Sequence, residues 1–234
     1  HGRPIVNEKT LAEVKGIKEA DLIKSYLMYQ KRVSQINSWN ESVEEDGRVH
    51  GFVIPNGAIT GRMTHRNPNM AQVPSSNSPY GSQCRAVWSV PDGYKLVGID
   101  ASGLELRMLS HYMDDEDYTN EVINGDIHTA NQNLAGLESR SQAKTFIYAL
   151  LYGAGDEKLG SVARQSFFDN LPAFKTLKNR VGSASERGYL KGLDGRKLFV
   201  RSEHAALNTL LQGAGAVVMK QALVLFDREI KKER

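Results

Sequence analysis

The chain is poor in cysteine: Cys84 is the only one in 234 residues. That excludes an intrachain disulfide and a cysteine-built metal cluster, and it suits a reducing compartment. Long apolar runs are missing too. The longest, residues 210–226, is broken by Gln212, Lys220 and Gln221, and it falls short of the roughly 20 apolar residues a membrane span needs. No signal peptide, internal repeat or low-complexity tract is present. Charge of one sign is not in large excess. A net charge of +3 permits a polyanionic partner without demanding one. The sequence has no Walker-type phosphate loop, no HExxH pair, no GxSxG elbow and no Cys-His pairing suited to a nucleophile. What remains is an ordinary composition, 40% hydrophobic and 24% charged, long enough to bury a real core. The expectation is a soluble intracellular protein. The chain opens on His1 and closes on a helical, charged run with no Gly or Pro to stop it, which reads as a piece of something longer.

Along the chain, residues 10–35 carry apolar side chains spaced for one helical face. Residues 47–61 read as a hairpin, Val49 to Ile54 turning through Pro55-Asn56-Gly57 into Ala58-Ile59-Thr60. Residues 67–83 are rich in Pro, Asn and Ser and read mostly as loop. Tyr94 to Ile99 reads as a short strand, followed by a helix over 104–113. Further helices are expected over 128–134, 141–152 and 205–232, with Leu193-Asp194-Gly195-Arg196 turning between two short strands. Strands early and helices later give α/β or α+β.

Several residues are placed for chemistry. Asp100 ends the Tyr94–Ile99 run just before a helix, where a carboxylate serves as a metal ligand or catalytic group; it or Ser102 equally fits a helix cap. Arg140, Lys144, Tyr148 and Tyr152 recur every four residues. Each such step turns a helix about 40° past a full turn, so they share one drifting stripe. Two cations suit a triphosphate, and two rings beyond them suit a sugar and a base; a solvated basic face with half-buried tyrosines fits as well. His128, in Gly125-Asp126-Ile127-His128-Thr129, precedes that helix. Asn208 and Gln212 sit four apart on an apolar helix, lining a groove or marking its wet side.

In order, the chain reads TGRMTHRNPNMAQVP (60–74), DASGLELR (100–107), GDIHT (125–129), RSQAKTFIYALLYG (140–153), LDGRK (193–197) and AALNTLLQGAGA (205–216). This series resembles that of family A DNA polymerases, nearest to the replicative enzymes of short-tailed phages. The likeness runs from about Leu22 to the C-terminus. It implies an α+β right-hand polymerase fold, palm sheet plus helical fingers. The implied divisions are 1–46 as the base of a mostly missing thumb, 47–112 as the first part of the palm, 113–199 as fingers and 200–234 as the second part of the palm. It implies that Asp100 binds both catalytic Mg²⁺ ions and that Glu105 is the steric gate against ribonucleotides. Arg140, Lys144 and His128 hold the incoming deoxynucleoside triphosphate, Tyr148 lies beside its sugar and Tyr152 marks the templating position. Arg62, Asn69 and Gln72 contact primer–template DNA, and Asn208 and Gln212 contact its minor groove. A processivity partner would sit on the missing thumb, in a phage-infected bacterial cell, with no membrane involved.

Two departures from the family pattern stand out. His204, the implied DNA contact, occupies a place where many cellular relatives carry Arg. The His-Asp-Glu motif with a second metal-binding aspartate does not occur in these 234 residues, nor does a proofreading domain, so the chain alone is expected not to polymerise. A single-subunit RNA polymerase shares the architecture, but Glu105 argues against room for a 2′-hydroxyl. A non-catalytic nucleic-acid-binding module is the other alternative.

Overall fold

The computed structural model describes residues 6–233. They divide into two units: the residues up to Ile54 with Thr64–Gly98, and Pro55–Met63 with the residues from Ile99 onward.

The first unit opens with α1 (Glu8–Ala12) and α2 (Lys18–Glu41). One helix expected over 10–35 is therefore two, parted at Gly16, whose φ of +79° no continuing helix tolerates. Glu19 and Asp21 in the first turn of α2 oppose its positive N-terminal dipole. Trp39 near its end meets Trp88 edge-on at 5.3 Å. The Pro- and Asn-rich loop is pinned to this helix: Arg32 Nε donates to the Pro79 carbonyl, and Gln35 Nε2 to that of Gln72. Strand β1 (Phe52–Ile54) pairs antiparallel with β2 (Thr64–Arg66), Val53 opposite His65. The expected partner, Ala58-Ile59-Thr60, instead lies inside a longer connection. The Pro-Asn-Gly turn does not close a two-residue hairpin because the connection folds on itself, Gly61 N–H bonding to the Ala58 carbonyl at 2.8 Å. A short helix α3 (Gly81–Ala86) follows.

Tyr94 to Ile99 is not a strand. Both sheets among the described residues have two strands, and neither includes this segment. A strand exists only as one side of a hydrogen-bonded ladder, and here Leu96, Val97 and Ile99 stand about three-quarters exposed.

The second unit is mostly helical. It contains α4 (Leu104–Met113), α5 (Glu116–Asn124), α6 (Ile127–Ala135), α7 (Arg140–Leu151), α8 (Asp156–Leu159), α9 (Ser161–Asn170), α10 (Pro172–Ser185), the hairpin β3 (Tyr189–Lys191) and β4 (Lys197–Phe199), and α11 (Glu203–Glu233). The helix starts follow from local chemistry. Asp115 and Asp126 cap α5 and α6, Ser139 and Gln142 form a reciprocal capping box on α7, and Pro172 opens α10. Phe146, Phe167 and Phe174 stack edge to face at the centre, at 5.6 and 5.3 Å. Leu106, Leu109, Ile147, Leu198 and Leu211 pack in the same core. The expected turn does join β3 to β4, with Leu190 opposite Leu198. Leu198 reaches α11 because Gly213 has no side chain: a Cβ there would lie 2.6 Å from Leu198 Cδ1.

Helix α11 qualifies the expectation about membrane spans. By length and composition it is long and apolar enough to cross a bilayer. Its first half is apolar for another reason: Ala206, Leu207, Leu210, Leu211 and Ala214 are buried in the core.

Candidate active site

The second unit holds a cleft of about 590 Å³ whose polar lining is Arg62, Asp100, Glu105, Tyr148, Gln212 and Lys220. Asp100 is exposed. It is not a helix cap, and neither is Ser102: α4 starts after Gly103, and no side chain bonds its first amides. Glu105 lies in the first turn of α4, where the helix dipole favours its negative charge. Its charge in turn reaches Tyr148. Burial first, and then Glu105, pushes the Tyr148 phenol above its ordinary pKa. No hydrogen bond joins the two side chains.

The stripe forms as its spacing implies. Helix α7 buries Ala143, Phe146, Ile147, Leu150 and Leu151 against the core, which leaves Arg140 and Lys144 exposed, Tyr148 half-buried at the edge of the core and Tyr152 exposed at the C-cap. A second cleft, also about 590 Å³, is lined by Lys144, Tyr148, Tyr152 and Lys158. Tyr148 therefore belongs to both clefts. His128 joins it from α6, the two rings 6.3 Å apart. Its Nδ1 is buried without a hydrogen-bond partner among the described residues. Burial, then the charges of Arg140 and Lys144, holds its imidazole below the ordinary histidine pKa, while Asp126 pulls the other way.

The remaining expected residues lie elsewhere. His204 lines a recess of about 450 Å³ with Asp156, Arg164 and Lys178, its carbonyl so close to Gly153 that a Cβ there would approach it to 2.3 Å. Asn208 is half-buried on α11, one turn before Gln212, and lines neither of the two main clefts. Asn69 and Gln72 belong to the first unit, where the Asn69 side chain caps a 3₁₀ turn by accepting from the Ala71 N–H.

The family model for DNA polymerase family A matches residues 1–234. The chain belongs to DNA polymerase family A. As a family A chain it is 46% identical to the DNA-directed DNA polymerases of Escherichia phage T7 and Enterobacteria phage T3. Each match takes in 94% of this chain and 38% of the relative. The DNA polymerase I of Aquifex aeolicus is 28% identical, over 99% of this chain and 44% of that protein. This family A chain thus spans about two-fifths of the length of the phage relatives. Among solved structures, the polymerase domain of Pol1 from M. smegmatis, in complex with DNA primer-template and dNTP, has the same fold, with a TM-score of 0.82 and 22% identity. That match covers 98% of this chain and 47% of the other.

Sequence reading missed three residues at or beside the candidate site. Asp126 does more than cap α6: it ion-pairs with Arg140 at 2.7 Å. An aspartate just ahead of a helical run was the available signal. Lys220 lines the cleft and donates to Asn56 Oδ1, a pairing across 164 residues that no local pattern announces. Arg196, read only as a turn residue, lies against Gly61.

Proposed function

We propose that this chain supplies the polymerising part of a DNA-directed DNA polymerase, adding deoxynucleotides to a primer 3′-hydroxyl under the direction of a template. One observation carries the reading: Arg62, Asp100, Glu105, Tyr148 and Gln212 line a single cleft, and Tyr148 links it to the cationic stripe of α7. In the reaction the primer 3′-oxygen bonds to the α-phosphorus and pyrophosphate leaves. Arg140 and Lys144 hold the triphosphate oxygens, Arg as a two-pronged donor and Lys as a point charge. A neutral His128 donates a further N–H. Tyr148 stacks beside the sugar, Glu105 occupies the space a 2′-hydroxyl needs, and Tyr152 meets the templating base. Arg62, Asn69, Gln72, His204, Asn208 and Gln212 hold the primer–template. On this reading residues 1–46 belong to the base of a thumb, 47–112 and 200–234 to the palm and 113–199 to the fingers. Positioning and charge neutralisation account for most of the rate enhancement.

A divalent metal ion, when bound, neutralises charge on the transferred phosphoryl group; Mg²⁺ is the ion proposed here. Asp100 offers the oxygen ligand such an ion takes. Among the described residues, however, no three His, Cys, Asp or Glu side chains converge. The described residues do not complete a site for two ions, and the roles above are those of the chain's own side chains. The same observation favours a second reading for the 234-residue chain by itself, as a weak DNA binder without turnover.

Primer extension separates the two readings. The full reading frame that carries this chain is expected to extend a templated primer with deoxynucleotides and not with ribonucleotides. The 234-residue chain is expected to shift primer–template DNA in a binding assay without extending it. Failure of the full frame to extend would overturn the enzymatic reading.

A further inference from the structure

The connection Pro55–Met63, which carries Arg62, belongs to the second unit although the strands flanking it belong to the first. Its own hydrogen bonds close it loosely: Ala58 N–H to the Arg62 carbonyl at 3.2 Å, and Gly61 N–H to the Ala58 carbonyl at 2.8 Å. Two side chains hold it from outside. Lys220 of α11 donates to Asn56 Oδ1. The guanidinium of Arg196 covers Gly61, which is buried with φ +76°; a Cβ there would lie 2.7 Å from Arg196 Nη1. The backbone angle favours glycine, and any larger residue would also push the guanidinium aside.

Arg196 is itself held from several sides. Its Nε donates to Asp194 Oδ2 at 2.6 Å, and its backbone N–H to Asp194 Oδ1 at 3.3 Å. The turn bearing both is closed by Gly192 N–H to the Arg196 carbonyl at 2.8 Å and Gly195 N–H to the Gly192 carbonyl at 2.9 Å. Two residues on, Leu198 is fully buried. A guanidinium seated on a glycine and held by its own turn is well placed as a wall.

We propose that Arg196 is a positioning residue: clamped by Asp194, it seats Gly61 and thereby fixes Arg62 in the cleft. The inference rests on the reading that Arg62 contacts primer–template DNA. It assigns Arg196 no DNA contact of its own.

A double-mutant cycle in the full reading frame tests this. Arg62→Ala, Arg196→Ala and the double variant are compared for primer–template KM and for kcat, with melting curves to check folding. Arg62→Ala and Arg196→Ala should each raise the KM for primer–template about tenfold, and the double variant should be no worse than Arg62→Ala alone. Arg196→Lys, which keeps charge but not the planar wall, should recover less than half of the loss. Should Arg196→Ala melt early, Asp194→Asn takes its place in the cycle and should show the same non-additivity. An inert Arg62→Ala sinks the reading beneath the proposal and the proposal with it. An effective Arg62→Ala with an additive or silent Arg196→Ala sinks the proposal alone. A drop in the salt dependence of DNA binding on Arg196→Ala would mark a direct phosphate contact and overturn it too.

Discussion

Asp126 grips Arg140 at two points, Nε to Oδ2 at 2.7 Å and Nη2 to Oδ1 at 3.1 Å. The same carboxylate accepts from the His128 N–H and from Thr129 Oγ1. One side chain thus starts α6, orients the first residue of α7 and sits beside the histidine between them. The Arg140 guanidinium, with Thr129 adding, holds the Asp126 carboxyl well below the usual carboxylate range.

Asp126→Ala should therefore act on nucleotide binding before it acts on turnover. Removing the pre-set geometry of Arg140 is expected to raise KM for the deoxynucleotide about tenfold with kcat changed less. Steady-state single-nucleotide incorporation by the full reading frame checks this. An unchanged KM would mean that Arg140 finds the triphosphate unaided.

Asp100→Ala should abolish nucleotide addition and leave primer–template binding within about twofold, because DNA affinity comes mainly from contacts to phosphate. Parallel extension and filter-binding assays on the full reading frame decide it. Retention of a substantial share of the turnover would remove Asp100 from the site.

Tyr148→Phe should restore discrimination against dideoxynucleotides. Tyr148 and Glu105 line one cleft, and burial, then the carboxylate, raise the phenol pKa. The phenol can donate to Glu105 when the 3′-hydroxyl is missing. A hydrogen bond to a charged acceptor is worth about 1.5–3 kcal/mol, or about one to two orders of magnitude in rate. The enzyme with Tyr148 should accept dideoxynucleotides almost as readily as normal ones. Equal discrimination by both proteins would show the hydroxyl to be idle.

His128 gives a pH signature. Its pKa in the folded chain lies below the ordinary value, so between the two values the unfolded state binds more protons. Its contribution to stability is whole above about pH 6.5 and is lost as pH falls toward the folded value. The window of Asp126 lies between its depressed value and about pH 3.8. Lowering the pH from about 7 to about 5.5 should lower the Tm of the 234-residue chain less in His128→Asn than in the parent. Equal slopes would mean that the imidazole titrates as in solution.

Phe167→Ala should be among the costliest of the core truncations. Its ring is fully buried and touches the rings of both Phe146 and Phe174. A loss of about 3–5 kcal/mol is expected, the range for emptying a buried aromatic site. Denaturant unfolding of the 234-residue chain measures it, and a change under about 1 kcal/mol would show that the site collapses to fill the gap.

The sequence by itself determined what is set within one or two turns of chain. The four-residue spacing of Arg140, Lys144, Tyr148 and Tyr152 makes a stripe in any helix. Ser139 with Gln142 starts that helix, and Leu193-Asp194-Gly195-Arg196 turns between strands wherever it is put. The ordered motifs were legible for the same reason, since each is a contiguous string. Only the tertiary structure decided which distant pieces meet. It paired β1 with β2 rather than with Ala58-Ile59-Thr60, and it left Tyr94 to Ile99 without a ladder. It placed Arg62 in the second unit, next to a glycine that lies under the guanidinium of Arg196, and it brought Lys220 to Asn56 across 164 residues. It also set Arg140 against Asp126. Such contacts depend on closing long loops, whose entropy is offset by burial elsewhere in the core. No periodicity of 2 or 3.6 residues carries that information.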